Sequence, residues 1–440
     1  MSLGCPKNLV DSEGALGEIV GAGHEIVTDQ ARADVIVVNT CGFIESARQE
    51  SIEAIGQALE YKKRGSCGAV VVIGCLSQRF AVPDEEIDAL LGIGHAGKLA
   101  DAIDRALAGE RTHDAACPTE QWLEPGARVL STPPWTAYIK VSDGCSNRCA
   151  YCAIPDIRGP YRSRPEGLIL DEAKRLADAG VKELVLVGQD LTQYGEDLRM
   201  GNGEWGMGNA PKPTLAGLVR KLNDIDALRW IRLMYCYPTK VTPELIDAIA
   251  DCERVVKYVD LPLQHADDDI LKAMNRRGSA DVYARVIDDL RAACPEIALR
   301  TTFIVGFPGE TEAAFGKLLE FVERIRFDRV GAFTYSREEG TPAASLGRRV
   351  PRKTAMSRYD RLMRLQQGIS LERNRRFVGE KMEVLVEGAT EDGMFGRSYR
   401  DAPEIDGLVY LPGSRAEPGT FVESTIADAT EYDLVGMFEG

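Results

Sequence analysis

The chain has 440 residues, 28% charged and 44% hydrophobic, with a formal net charge of −15; this length fits about two to four domains, and the acidity argues against a general nucleic-acid coat, which needs a basic surface. No run of about 18 apolar residues occurs, and the start MSLGCPKNLVDSE lacks a basic segment followed by an apolar one; neither a membrane span nor a secretory signal is expected, and the expected location is the cytoplasm. Eleven cysteines, an odd number at uneven spacing in a long chain, point away from a disulfide scaffold and toward metal binding or catalysis.

The first segment alternates strand and helix. Apolar runs at 34–39 (DVIVVN) and 69–73 (AVVVI) are each followed by helical periodicity, as at 46–61. Continuous apolar strands between helices indicate a parallel sheet covered on both faces. This first α/β domain is expected to span 1–112, its last element closing near Gly109. A polar linker follows and ends in STPPW at 131–135.

Alternation resumes over 131–350. Strands are expected at 137–141, 183–187, 230–233, 258–261, 298–305 and 329–333, with helices between them, for example at 170–179 and 243–250. Six units fit an open, partial (β/α)6 TIM-like barrel better than a full eight-unit barrel. The Gly- and Met-bearing stretch 198–213 reads as a long surface loop. From 348 to 376 the chain is basic and helical. The segment 377–440 carries short β-type runs, MEVLVEG, GLVYL and FVESTIADA, between Gly and Pro turns, the pattern of a small all-β barrel.

The strongest motif is SDGCSNRCAYCAIP, which sets Cys145, Cys149 and Cys152 in C-x3-C-x2-C spacing directly after the first strand of the second domain. Three close thiolates can hold three irons of a [4Fe–4S] cluster and leave the fourth open. That open iron can bind the amino and carboxylate groups of S-adenosylmethionine (SAM), and one electron can break the sulfonium bond to give a radical that abstracts hydrogen. A structural zinc site is the plain alternative, but it would need a fourth ligand, and the nearest His in sequence, His113, lies in the linker.

Cys5, Cys41 and Cys75 share a context: SLGCPKN, VVNTCGF and VIGCLSQ place each beside Gly or after an apolar strand. The carboxyl ends of parallel strands lie along one edge of a sheet, so widely spaced cysteines there can converge. Taken singly, each could equally be a buried core cysteine. Cys67, Cys117, Cys236, Cys252 and Cys294 show no shared context and are expected in core or surface positions.

Together these segments resemble the radical SAM methylthiotransferase family. CPKNLVDSE, VNTCGFIESARQESI, GCLSQR, DGCSNRCAYCAIP, RTTFIVGFPGETE and EEGTPA carry the resemblance over nearly the whole chain. GCPKNLVDSE, NTCGFIESA and LPLQHADDDILKAMNR are similar to the branch that acts on ribosomal protein S12, whereas the YGCQMN-type phrase of the tRNA branch is absent. The sequence starts only four residues before Cys5, so a shortened first strand, or a start further upstream, is expected.

The resemblance implies an N-terminal domain holding an auxiliary cluster on Cys5, Cys41 and Cys75, a radical SAM barrel, and a C-terminal TRAM barrel. It implies two [4Fe–4S] clusters, SAM as radical source and methyl donor, an aspartate β-carbon of S12 as target, an external electron donor and a sulfur source. The two clusters are expected close together, with the barrel mouth facing the first domain. Tyr151 matches the aromatic usual between the second and third cysteines, and Gln189 and Asp190 resemble the QD position after a barrel strand, near SAM or substrate. Gly306 and Gly309 follow another strand, where small residues let backbone approach a ligand, and Glu310 is expected to begin the next helix. Gln264 and His265 are expected to line the pocket, although His265 could be a satisfied core residue, and Arg300 to pair with a carboxylate.

From 377 to 440 there are 14 Asp plus Glu against four Lys plus Arg, a net of −10. Such a barrel repels RNA phosphate and suits a basic protein, so tRNA is disfavoured as partner; the plain alternative is a surface tuned for solubility. The basic helix before it could still touch ribosomal RNA. A tRNA methylthiotransferase and a non-catalytic metal- or RNA-binding scaffold are the rival functions.

Overall fold

A computed structural model describes residues 1–80, 82, 86–115, 128–198 and 212–437. The expected loop at 198–213 and Cys117 fall largely or wholly outside these residues. The N-terminal sheet has four parallel strands in sequence order, β1 (Val35–Thr40), β2 (Ala69–Gly74), β3 (Ala89–Leu91) and β4 (Thr112–Asp114), accompanied by helices α1 (Pro6–Gly21), α2 (Glu45–Lys63), α3 (Cys75–Arg79) and α4 (Leu99–Leu107). All six residues of β2 are buried, because helices cover both of its faces. Val70 and Val72 pack with Ala54, Ala58 and Leu59 of α2, and Val71 and Ile73 with Leu99, Ala102 and Ile103 of α4. The sheet runs on to Asp114, past the expected close near Gly109, since the short polar strand THD pairs with β3. Residues 1–3 lie beside β1 in an isolated parallel bridge: the Leu3 N–H donates to the Asn39 carbonyl and the Asn39 N–H to the Met1 carbonyl.

The central part holds β5 (Thr136–Lys140), β6 (Ser142–Asp143), α5 (Ile154–Arg158), β7 (Arg162–Ser163), α6 (Glu166–Asp178), β8 (Glu183–Val187), α7 (Leu215–Asn223), β9 (Trp230–Leu233), α8 (Pro243–Asp251), β10 (Val255–Asp260), α9 (Asp268–Ala273), α10 (Ala280–Ala293), β11 (Ala298–Val305), α11 (Glu312–Ile325) and β12 (Arg329–Thr334). Six of these strands form one parallel sheet in the order β5-β8-β9-β10-β11-β12, and β6 pairs with β7 separately. The sheet is open, since β5 and β12 are its edges. Side chains alternate. Ile139, Leu184, Leu186, Ile231 and Leu233 pack under the helices, while Tyr138, Val185, Val187, Trp230, Met234 and Tyr258 point into the concave face.

That concave face is filled from two sides. Leu9 and Val10 of α1 enter from the N-terminal domain, and Leu385, Tyr399, Ala402 and Phe421 enter from the C-terminal one. The long helix α12 (Arg352–Arg375) leads to β13 (Lys381–Thr390), β14 (Gly393–Ser398), β15 (Val409–Pro412), β16 (Phe421–Ala429) and β17 (Leu434–Met437), a closed barrel in the order β13-β14-β15-β17-β16. Several cations of α12 are used internally: Arg358 pairs with Glu310, Arg361 with Glu312 and Arg373 with Asp328. Buried ion pairs also lock the small barrel to the large one. Glu183 of β8, wholly buried, accepts from Arg232 and from Arg397 of β14, and Arg329 reaches Asp401.

Candidate active site between two cysteine sets

Cys5 follows the N-terminal bridge and caps α1, Cys41 directly follows β1, and Cys75 directly follows β2 as the first residue of α3. All three stand at one edge of the sheet. Glycines make the convergence possible: a Cβ on Gly4 would lie 2.9 Å from Cys41 Cβ, and one on Gly42 would lie 2.8 Å from Leu76 Cα. Asn8 and Asn39 tie the strand ends together. Asn8 Nδ2 donates to the Leu3 carbonyl at 2.6 Å, and Asn39 Nδ2 to Ser12 Oγ at 2.7 Å and to the Asn8 carbonyl at 3.1 Å. Ser51 of α2 clamps Cys41, accepting its N–H and donating to its carbonyl, both at 2.9 Å. The phrases CPKN and VVNTC thus carry hydrogen-bonding roles as well as thiols.

The second set lies on the loop between β6 and α5. Gly144 starts it in a left-handed conformation, and the Cys145 N–H donates to the Gly159 carbonyl at 3.2 Å. The Ala150 N–H donates to the Met274 carbonyl and the Ala343 N–H to the Ala150 carbonyl, so the loop is pinned from both sides. Tyr151 packs with Met274, Phe307 and Ile270. Arg276 places Nη1 3.8 Å from Cys149 Sγ.

The thiol chemistry fits iron–sulfur ligation. Burial pushes Cys41 and Cys145 up to about 11 and raises Cys75 and Cys152 as well. For Cys5 burial also acts upward, but Lys7, Arg158 and backbone N–H groups outweigh it and the thiol is lowered. Buried thiols of this kind become thiolates when a metal ion compensates their charge. Among the described residues no three His, Cys, Asp or Glu side chains converge on a single ion position. A four-iron cubane binds each thiolate at a different iron, so its ligands stand wider apart than those of one zinc.

One guanidinium joins the sets. Arg158, at the end of α5 and 1% exposed, donates to Cys75 Sγ at 3.5 Å, to Asp11 of α1 at 2.8 Å and to Asp143 at 3.1 Å. Asp143 in turn accepts the Gly144 N–H at 2.9 Å, at the foot of the cysteine loop. Lys140 completes the cluster through Asp11 and Asp143. Sequence reasoning missed Arg158, Arg276 and Lys7; their nearness in the chain to cysteines or to the quoted phrases was the available signal.

The remaining expected residues fall in two groups. Gln189 donates to Asp143 at 3.2 Å, beside the cysteine loop. Asp190 is 2% exposed and accepts from Asn147 of that loop, from Thr192 and from Gln193; with these donors it positions the loop. Gln264 stands in a left-handed conformation and bridges to Phe303 of β11. His265 is wholly buried, accepts the Asp267 N–H at Nδ1 and lies 3.5 Å from Glu310, as a core histidine would. A Cβ on Gly306 would come 2.6 Å from Ala355 Cβ of α12, and the Gly309 N–H donates to the Arg348 carbonyl; both glycines have backbone reasons of their own. Glu310 does not begin the next helix, contrary to expectation: Thr311 is the cap of α11, and the Glu310 carboxylate turns inward to accept the Gly306 N–H and pair with Arg358. Arg300 pairs with Asp260 at 2.9 Å and with Asp406 of the C-terminal domain at 3.4 Å. Cys67, Cys236, Cys252 and Cys294 are buried core residues.

An open six-stranded parallel half-barrel with a C-x3-C-x2-C loop after its first strand defines a radical SAM enzyme. A family profile for the radical SAM superfamily matches residues 139–322, one for the uncharacterized family UPF0004 matches 1–91, and one for the TRAM domain matches 378–438. The chain is 47% identical to the ribosomal protein uS12 methylthiotransferase RimO of Desulforamulus reducens, over 99% of this chain and 98% of that protein. It is 45% identical to the protein of that name from Lachnoclostridium phytofermentans (100% and 99%), and 44% identical to the one from Geobacter sulfurreducens (99% and 97%). The chain therefore belongs to the ribosomal protein uS12 methylthiotransferase family. Among solved structures it is similar in fold to the radical S-adenosylmethionine methyltransferase TsrM of Kitasatospora setae with cobalamin and a [4Fe–4S] cluster bound, at 17% identity and a TM-score of 0.55, covering 75% of this chain and 70% of that one.

Proposed function

We propose that this protein is a cytoplasmic enzyme that places a methylthio group on the β-carbon of an aspartate in ribosomal protein uS12, drawing on an external electron donor and sulfur source. The observation that carries the reading is the juxtaposition of two three-cysteine sets through Arg158, which contacts Cys75 and the foot of the Cys145 loop at once. Cys145, Cys149 and Cys152 would hold one [4Fe–4S] cluster, and Cys5, Cys41 and Cys75 the other. When bound, the clusters and SAM supply one-electron cleavage, hydrogen abstraction, sulfur and the methyl group. The chain's own part is orientation. Asp190 holds the cysteine loop through Asn147, Arg158, Asp11 and Asp143 fix the distance between the sets, and α1 together with the C-terminal barrel shields the concave face from water.

A protein substrate is supported by the acidic C-terminal barrel, where Glu391, Asp392, Glu417, Asp428 and Glu431 are exposed. Like charge would repel tRNA phosphate, while a basic ribosomal protein would be drawn in. No described helix is long and apolar enough to cross a membrane. The test is anaerobic reconstitution with iron and sulfide, reduction, and addition of SAM with either a peptide copying the uS12 loop or bulk tRNA. Methylthiolated peptide with unmodified tRNA is the expected outcome; the reverse would overturn the assignment.

A further inference from the structure

A cavity of about 260 Å³ lies where the three domains meet. Cys5 contributes to its wall from the N-terminal domain, Tyr138, Met234 and Tyr235 from the barrel face, and Glu404 and Ile405 from the loop between β14 and β15. The wall is mainly apolar; among the described residues that line it, Glu404 is the one carboxylate, and no Lys or Arg is present. The loop at 401–406 holds three carboxylates. Asp401 and Asp406 turn inward to Arg329 and Arg300, and Asp406 also accepts the Ala402 N–H at 2.9 Å and the Tyr258 hydroxyl at 2.7 Å. Glu404 differs: it is exposed, and among the described residues it has no hydrogen bond and no ion pair. Its φ is 67°. Left-handed backbone is costly for a residue with a Cβ, and it persists here because the loop is pinned on both sides of Glu404. Tyr235 is left-handed as well, at a φ of 62°, its N–H fixed by Asp260 at 3.1 Å. Tyr138 is 3% exposed, yet among the described residues its hydroxyl has no hydrogen-bond partner. After burial, the Glu404 charge is the strongest influence that pushes this phenol up, so carboxylate and hydroxyl face the same space. A buried hydroxyl left unpaired costs free energy, and such a group on a cavity wall points to a ligand that fills the space.

We propose that this cavity binds a basic side chain, Arg or Lys, of the substrate protein, with Glu404 as its counter-charge. The inference rests on the reading of a basic ribosomal protein as substrate. Arg and Lys carry an apolar stem and a cationic head. The stem suits a wall built from Met234, Ile405 and two tyrosine rings, and those rings also attract a cation. The head donates to the Glu404 carboxylate and to the Tyr138 hydroxyl oxygen, so both unpartnered groups are satisfied at once. An acidic side chain would meet like charge at Glu404, and a neutral one would leave the carboxylate covered and unpaired. Because Cys5 shares the wall, the seated residue lies beside the auxiliary set. It therefore fixes the register in which the substrate chain presents its aspartate.

The test uses the reconstituted full chain and a set of peptides copying the uS12 loop, in each of which one Arg or Lys is replaced by Met. Binding is followed by fluorescence anisotropy and turnover by mass spectrometry. One replacement is expected to weaken binding to the wild type about tenfold. Glu404→Gln weakens binding of the unaltered peptide by a similar factor but has little further effect on that one altered peptide, the non-additivity of two groups in contact. Tyr138→Phe, which loses only the hydroxyl, lowers affinity in the same peptide-dependent way. Glu404→Asp keeps the charge and restores part of the affinity. In the free protein Glu404→Gln unfolds at the wild-type denaturant midpoint, because the carboxylate has no partner there. A lowered midpoint assigns Glu404 to the fold and overturns the proposal. A Glu404→Gln protein that binds every peptide as the wild type does overturns it too, as does a loss additive with every replacement, which is long-range attraction alone. A wild type whose affinity is the same for every peptide, or absent for all, also overturns it, whether or not turnover occurs. If the coupling is seen but no peptide is modified, the cavity stands as a cation site and the functional reading falls instead.

Discussion

Arg158 Nη2 stands 3.5 Å from Cys75 Sγ while Nη1 of the same guanidinium donates to Asp143 at 3.1 Å. One planar, fully charged group therefore touches both cysteine environments, and its fork geometry suits two carboxylates at once. Replacing Arg158 by Met leaves Asp11 and Asp143 buried with Lys140 alone to compensate them. The expected cost is about 3–5 kcal/mol, the usual penalty for breaking a buried ion pair. Chemical denaturation of the apo-protein measures it. A change under about 1 kcal/mol would show that the network does not hold the domains together.

The two cysteine sets are expected to separate functionally. Cys145→Ala with Cys149→Ala and Cys152→Ala should leave about four irons per chain and abolish SAM cleavage. The triple Ala variant at Cys5, Cys41 and Cys75 should also leave about four irons but retain 5′-deoxyadenosine formation without methylthiolated product. Iron analysis and product chromatography check both. Loss of all iron in either variant would mean that the sets do not bind independently.

Glu183 offers a pH test. Burial acts upward on its carboxyl, but Arg397 and Arg232 outweigh it and hold it at about 2. A carboxylate depressed below its unfolded value contributes stability in full above the unfolded value, about 4.3, and that contribution is lost as pH falls toward 2. Glu183→Gln should therefore be less stable than wild type at pH 7, with the gap closing below about pH 4. Denaturation series at pH 7 and pH 3 measure this. A gap that stays constant with pH would show that the pairing with the C-terminal barrel contributes no linked stability.

Gly306 separates packing from ligand contact. Its φ is 76°, and a Cβ there would stand 2.6 Å from Ala355 Cβ. Gly306→Ala should destabilise the fold by about 1–3 kcal/mol through overpacking and backbone strain. Ala355→Gly in the same chain should recover part of that loss. SAM affinity measured on the folded double variant then decides the other role. Wild-type affinity leaves Gly306 a packing residue, and a large loss restores it as a SAM contact.

Much of this architecture was legible in the chain. Buried parallel strands are short apolar runs, so β1, β2 and the six barrel strands fall within a few residues of their expected places. β4 (THD) was missed because its polar residues pair at a sheet edge without an apolar signal. β14 (GMFGRS) was missed because two glycines erase the alternation. The convergence of Cys5, Cys41 and Cys75 could be read because parallel strands end along one edge of a sheet. The partners of Arg158 and Glu310 could not, since a lone charged residue looks the same in sequence whether it faces solvent or a buried partner. The acidic barrel was readable as a net charge, but Asp401 and Asp406 turn inward to Arg329 and Arg300, so part of that charge is structural.

The site and nature of the modification are read from the mass of uS12 purified from cells that express this chain in place of their own methylthiotransferase, with fragmentation to locate the change. One added methylthio group is expected on the β-carbon of a single aspartate, absent when Cys145 is replaced by Ala. Unmodified uS12 in cells where the protein is fully loaded with iron would contradict it.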